Sequence, residues 1–348
     1  MMDKKYEQIQ DTSYRSQENA KSQPVRRAPL LDLFPSITPY SSGFLAADET
    51  HNLYWEQSGN PDGVPIVLIH GGPGAGATPV HRRFFDPDFY RIIIYDQRGA
   101  GRSQPLGCLK DNTRQHLVDD LEKLREHLRI ERWHLFGGSW GSTLAMSYAC
   151  QRPKRCMSMI MRGIFLCEQE EVDWFLYGMN NFFPEAWEQF VGVLDLDEQE
   201  DILENYYRYL TDESDPEKQM EAAICWSLYE GACSSLMPNY ETITTDEQKK
   251  HALALARIEA HYFINEIISP EKSLIHNIEL LRSIPTAIIQ GRYDVICPIR
   301  TAYKVHQIWP EADYIVVPDA GHSALDAPLR SRLIEATENA KTIGQKKI

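Results

Sequence analysis

Ser139 stands in Gly137-Gly138-Ser139-Trp140-Gly141, where the apolar run "RWHLFGG" meets the helix-like run "SWGSTLAMSYACQ". A G-x-S-x-G pattern with a strand before it and a helix after it holds the serine on a tight, strained turn. Glycines suit such a turn because side chains would clash with the adjoining backbone. The helix start favours negative charge developing beside the hydroxyl. A hydroxyl needs a base to become a nucleophile, and the base needs an orienting acid. Downstream, "QGRYDVICP" places Asp294 just past one apolar run, and "VPDAGHS" places His322 just past the next. Asp319 is a rival for the acid, but it lies only three residues before His322 and reads as a turn residue. Singly, each residue has an ordinary reading: a turn serine, a turn aspartate, a histidine capping a helix. Together, in the order Ser, Asp, His and each at the end of an expected strand, they point to acyl transfer through a serine nucleophile.

Acyl transfer also needs donors for the developing oxyanion. "HGGPG" (His70–Gly74) follows the first apolar run, and glycine-rich turns let backbone N–H groups face a ligand. The expected donors are the backbone N–H groups of Trp140 and Gly72.

These residues require a particular set of supporting elements. "VPIVLIH" (Val64–His70), "FYRIIIYD" (Phe89–Asp96), "RWHLFGG" and "CMSMIMRG" are short unbroken apolar runs, the pattern of strands buried on both faces. Leucines at 117, 121, 124 and 128 mark an amphipathic helix over Thr113–Arg129. Strand and helix thus alternate over 64–163, which predicts a parallel α/β sheet. Gly43–Asn60 reads as an antiparallel strand pair ahead of it. From 164 to 275 aromatics and acids mix at helical spacing, with no clear buried strand. The strand pattern returns at Ile284–Gly291 and Ala312–Ser323, and a last helix is expected over Leu325–Lys341. The expectation is an α/β domain made of 29–163 and 276–348, a helical cap over 164–275, and a flexible polar tail over 1–28.

The 348 residues suffice for a large core. With 36 basic and 50 acidic residues the net charge is −14, which argues against nucleic acid or an anionic membrane as partner. The seven cysteines lack C-x-x-C spacing and are odd in number, so a structural zinc site is not expected and at least one thiol is outside any intramolecular disulfide. No signal peptide and no transmembrane run is read, so the expectation is a cytoplasmic protein.

"HGGPGAG", "DQRGAGRS", "GGSWGSTLA", "RGIF", "GRYDVICP" and "AGHS" together resemble the proline iminopeptidases, α/β-hydrolase-fold serine peptidases that release N-terminal proline. The resemblance covers about residues 33–340. It implies that two cap glutamates hold the free amino end of the substrate: Glu230 of "WSLYEG" and Glu259 of "ARIEAHYF". A proline imino group is cationic near neutrality, and paired carboxylates can select it. It further implies a ring pocket made by Phe165, Phe175 and Phe263. The chain departs from the family pattern in two places, with Tyr229 where the family often has tryptophan and Phe175 where it often has tyrosine. Small peptides with N-terminal proline are the implied substrates, and no metal or organic cofactor is implied. Cys297, three residues after Asp294, is either an inert buried thiol or one whose modification would crowd the acid and the histidine.

Two other readings stand beside this one. An esterase or amidase on the same scaffold would share Ser139, Asp294 and His322 with a different cap. A non-catalytic binding protein of the same fold would carry a damaged triad.

Overall fold

The computed structural model describes residues 29–237 and 242–343; the expected tail over 1–28 lies outside the described residues. The described residues from Leu31 onward pack as one unit. Strands β1 (Ser41–Ala46) and β2 (Asn52–Gly59) form the expected antiparallel pair. They are followed by β3 (Val64–Ile69) and β4 (Tyr90–Tyr95), then helix α1 (Arg114–His127), which is capped by the Thr113 hydroxyl. Next come β5 (Trp133–Ser139), α2 (Trp140–Gln151) and β6 (Cys156–Ile164). Helices α3 (Gln169–Asp173), α4 (Pro184–Val191), α5 (Ile202–Thr211), α6 (Pro216–Ser234) and α7 (Asp246–Asn265) follow. The chain then returns to β7 (Thr286–Gly291), α8 (Ile299–Ile308), β8 (Asp313–Val317) and α9 (Ala327–Ala340).

The sheet runs β1-β2-β4-β3-β5-β6-β7-β8. Every pair from β4 to β8 is parallel, and the β1 and β2 edge is antiparallel. The apolar runs are unbroken because both faces are covered. Along β3, Val67 and Ile69 join one buried cluster with α1, α2 and the helices that follow β6. Ile66 and Leu68 join the other, with Phe84, Phe85 and α9. Although α3–α7 separate β6 from β7 in sequence, those strands are neighbours, with Met159 opposite Thr286. The inserted helices therefore leave the sheet at the C-terminal end of β6, beside the end of β5 that carries Ser139, and the chain re-enters at the opposite edge, at the start of β7.

The residues around "DQRGAGRS" anchor this edge. Arg98 pairs in a bidentate manner with Asp120 of α1, Nε to Oδ2 at 2.6 Å and Nη2 to Oδ1 at 2.8 Å, with both side chains buried. Asp96 accepts from the backbone N–H of Ala77 at 2.8 Å and of Arg102 at 2.9 Å. That ties the glycine-rich loop after β3 to the loop after β4.

Candidate active site

Ser139 sits at the junction of β5 and α2 with φ 57° and ψ −129°. A non-glycine residue there carries about 1–3 kcal/mol of backbone strain, a cost tolerated mainly at functional sites. Close approach enforces the flanking glycines. A Cβ on Gly141 would lie 2.2 Å from the Ile69 carbonyl oxygen, and one on Gly137 would lie 2.4 Å from the Gly141 carbonyl oxygen. The Ser142 hydroxyl donates to the Ser139 carbonyl at 2.7 Å and closes the turn.

His322 and Asp294, in the loops after β8 and β7, come together as expected. His322 Nδ1 lies 2.9 and 3.0 Å from the two carboxylate oxygens of Asp294. Asp294 also accepts from the Cys297 N–H at 2.8 Å and from Gln290 Nε2 at 3.2 Å, so its carboxylate is fixed from three sides. The backbone N–H groups of His322 and Ser323 both donate to the Ser234 carbonyl at the end of α6, at 3.0 and 2.8 Å. Burial lowers the His322 pKa below its ordinary 6.5, against the opposing pull of Asp294. Its Nε2 accepts from Arg162 Nη1 at 2.8 Å. No hydrogen bond among the described residues joins His322 to Ser139. The Ser139 hydroxyl instead lies 3.9 Å from Cys297 Sγ. Catalytic hydrogen bonds are often unformed in a free enzyme and close when substrate binds.

Gly72, in the loop after β3, lines the same cavity as Ser139, and Trp140 begins α2 directly after it. The loop presses on the turn: a Cβ at Gly71 would sit 3.3 Å from Ser139 Cβ. Gly72 has φ 104°, a conformation that favours glycine. One residue links the two segments. Gln97 donates through Nε2 to the His70 carbonyl at 2.8 Å, while its Oε1 accepts from the Trp140 indole Nε1 at 3.0 Å. The Gln97 N–H donates to His70 Nε2 at 2.9 Å, so the neutral imidazole carries its proton on Nδ1, 2.9 Å from the Gly71 carbonyl. Sequence reasoning missed Gln97, because a glutamine after a strand carries no signal until its two partners are placed.

The helices between β6 and β7 supply the remaining groups. Ser139, Phe165, Phe175, Glu230, Glu259, Phe263 and Cys297 line one small cavity with Gly72, Ile296 and Glu171. Phe263 packs edge-on against Phe175 at 5.6 Å between ring centroids, and Phe165 lies 6.2 Å from it. The Tyr229 hydroxyl donates to the Phe175 carbonyl at 2.9 Å, so the tyrosine braces the pocket from behind. Glu259 is buried on α7 and accepts from Trp226 Nε1 at 2.6 Å. Burial raises Glu230 to about 7. Burial and the Glu230 charge push Glu259 well above the carboxylate range. Without a cation between them, the pair therefore holds a proton near neutrality. Glu171 was not anticipated. It is buried at the start of α3, accepts from the Leu166 N–H at 3.0 Å and the Glu168 N–H at 3.1 Å, and is raised to about 7 by burial. Burial, the Asp294 charge and Glu171 push the Cys297 thiol well up, which suppresses its thiolate.

The strained serine between β5 and α2, and the acid and histidine on the loops after β7 and β8, define an α/β-hydrolase. Residues 64–327 match the family model described as the alpha/beta hydrolase fold, and the chain belongs to that family. Within it, the chain belongs to the proline iminopeptidases. It is 47% identical to a proline iminopeptidase of Arabidopsis thaliana, over 89% of this chain and 82% of that one. It is 45% identical to one of Xylella fastidiosa strain 9a5c, over 88% of this chain and 98% of that one. It is 44% identical to one of Neisseria gonorrhoeae, over 86% of this chain and 96% of that one. The crystal structure of a proline iminopeptidase of Mycobacterium smegmatis shares the fold, with a TM-score of 0.55 at 19% identity over 87% of this chain and 99% of that one. Among the described residues no helix is long and apolar enough to cross a membrane.

Proposed function

We propose that this chain is a prolyl aminopeptidase acting on small peptides through a prolyl-enzyme ester on Ser139, with α3–α7 and their connections serving as the cap that selects the substrate. The observation that carries this reading is the shared cavity, in which Ser139 faces the aromatic trio and the carboxyl pair Glu230 and Glu259. A pyrrolidine ring fits an aromatic-walled pocket, and its cationic nitrogen compensates two buried carboxyls that otherwise hold a proton. An acetyl ester or N-blocked amide brings no such cation.

In this reading His322 turns its Nε2 from Arg162 to Ser139, takes the hydroxyl proton, and the alkoxide attacks the proline carbonyl carbon. The oxyanion is held by the N–H groups of Gly72 and Trp140. The protonated His322 then gives its proton to the leaving amine. Asp294 keeps the imidazole in the productive tautomer. Water attacks the ester by the same proton route and releases proline. Every proton in the cycle moves between Ser139, His322, substrate and water.

The test is release of an arylamine from a prolyl arylamide beside alanyl and N-blocked prolyl arylamides and an acetyl ester. Strong preference for the free prolyl compound is expected. Equal turnover of the ester, with no prolyl preference, would leave Ser139, Asp294 and His322 in place and discard the roles of Glu230 and Glu259. Ser139→Ala is expected to lose at least about 10³-fold in kcat while melting like the parent.

A further inference from the structure

Arg162, on β6 of the "RGIF" stretch, is left unexplained by the proline-binding reading. Its guanidinium lies flat along Gly138, where a Cβ would be 2.7 Å from Nε and 2.8 Å from Cζ. Its Nη1 donates to His322 Nε2 at 2.8 Å. Among the described residues no carboxylate lies within 4.0 Å of it, whereas Arg82, Arg98 and Arg102 in the same domain are each ion-paired. A partly buried guanidinium that is hydrogen-bonded to a histidine, with the Asp294 charge nearby but no carboxylate in direct contact, has donors left to offer an anion.

Its surroundings agree. Arg162, His81, Gly71, Ser139, Glu230 and His322 line a second cavity of about 210 Å³ that meets the ring pocket at Ser139 and Glu230. His81 Nδ1 accepts from the Thr78 N–H at 2.9 Å, so a neutral His81 carries its proton on Nε2 and is a second donor in this cavity. Ser139 and Glu230 thus border both cavities, while Glu259 lines only the ring pocket and the guanidinium and imidazole N–H line only the second.

We propose that Arg162 binds the terminal α-carboxylate of the residue that leaves, so that the site is built for prolyl dipeptides as zwitterions. This rests on the prolyl aminopeptidase reading. The reach fits. His322 Nε2 must come within hydrogen-bond distance of the scissile nitrogen, and the carboxylate carbon of a dipeptide lies about 2.5 Å beyond that nitrogen. Arg162 Nη1, 2.8 Å from the same Nε2, stands where that carboxylate arrives. The carboxylate also draws the guanidinium off His322 and frees Nε2 for Ser139. Binding the correct substrate would thereby complete the catalytic hydrogen bond.

The experiment compares kcat/KM for Pro-Gly, Pro-Gly amide and a prolyl arylamide, in the parent protein and in Arg162→Met and Arg162→Lys. In the parent, Pro-Gly is expected to exceed its amide by at least about tenfold. The ratio is expected to collapse toward one in Arg162→Met and to be intermediate in Arg162→Lys, because lysine keeps the charge without the bidentate fork. A parent ratio near one, with the arylamide still cleaved, overturns this inference alone. So does an undiminished ratio in Arg162→Met. Failure of the parent to cleave any prolyl compound overturns the underlying reading and this one with it. Should Arg162→Met not fold, the parent ratio and the lysine variant still decide.

Discussion

The indole Nε1 of Trp226 donates to Glu259 Oε2 across 2.6 Å, from α6 to α7. Both side chains are buried, so this N–H stabilises charge where water does not reach. It opposes the burial that drives Glu259 toward its neutral form.

Trp226→Phe keeps most of the apolar bulk and removes the donor. A hydrogen bond to a charged group contributes about 1.5–3 kcal/mol. The substitution is expected to lower kcat/KM for a free prolyl arylamide roughly 10–100-fold, mainly through KM. Steady-state kinetics check this, and an unchanged KM would count against Glu259 as an amine ligand.

The pH profiles should separate binding from chemistry. His322 acts as base only when neutral, and its pKa is lowered from 6.5, so its acid limb lies below 6.5. Glu230 is raised to about 7 by burial, so the free enzyme gains a carboxylate charge in the site, and affinity for a cation, as pH rises through about 7. The expected kcat/KM rises through pH 7 while kcat stays level to a lower pH. Glu230→Gln should remove the upper limb; identical profiles for the parent and Glu230→Gln would argue that Glu230 does not bind the amine.

Gln97 ties the loop after β3 to Trp140 at the start of α2, the two segments proposed to hold the oxyanion, and its loss frees each of them. Gln97→Ala is expected to reduce kcat by about 10–100-fold with a small change in KM, because the donors matter most in the transition state. Leaving the indole and carbonyl unpaired should also cost about 1–3 kcal/mol of stability. Denaturant melts beside kinetics at a temperature where the variant is folded distinguish the two effects.

The Arg98–Asp120 pair joins the loop after β4 to α1 and lies far from water, with side-chain exposures of 2% and 1%. Removing one member leaves a buried charge without its partner. Asp120→Asn is expected to lose about 3–5 kcal/mol of unfolding free energy. Urea denaturation would measure it, and a loss under about 1 kcal/mol would mean that Asp48, 2.5 Å from Arg98 Nη1, takes over the charge.

Much of this protein follows from local pattern. Strand faces alternate every second residue and helix faces recur every three to four, so Val64–Ile69, Tyr90–Tyr95 and Arg114–His127 can be read from neighbours in sequence. The same holds for Ser139, because its turn is built from adjacent glycines, and for Asp294 and His322, because each follows its own strand. What the local pattern could not supply are relationships between distant segments. Glu230 and Glu259 could be picked from 50 acidic residues only through resemblance. Their raised pKa values arise from burial, opposed at Glu259 by the Trp226 N–H, in surroundings that exist only once α6 packs on α7. Gln97 gains meaning when β4 lies beside β3, bringing His70 and Trp140 to either end of its amide. Arg162 meets His322 across 160 positions because β6, β7 and β8 are neighbours in the sheet. Tertiary structure decided these contacts because charge and hydrogen bonding depend on distance through space and on exclusion of water, and sequence separation specifies neither.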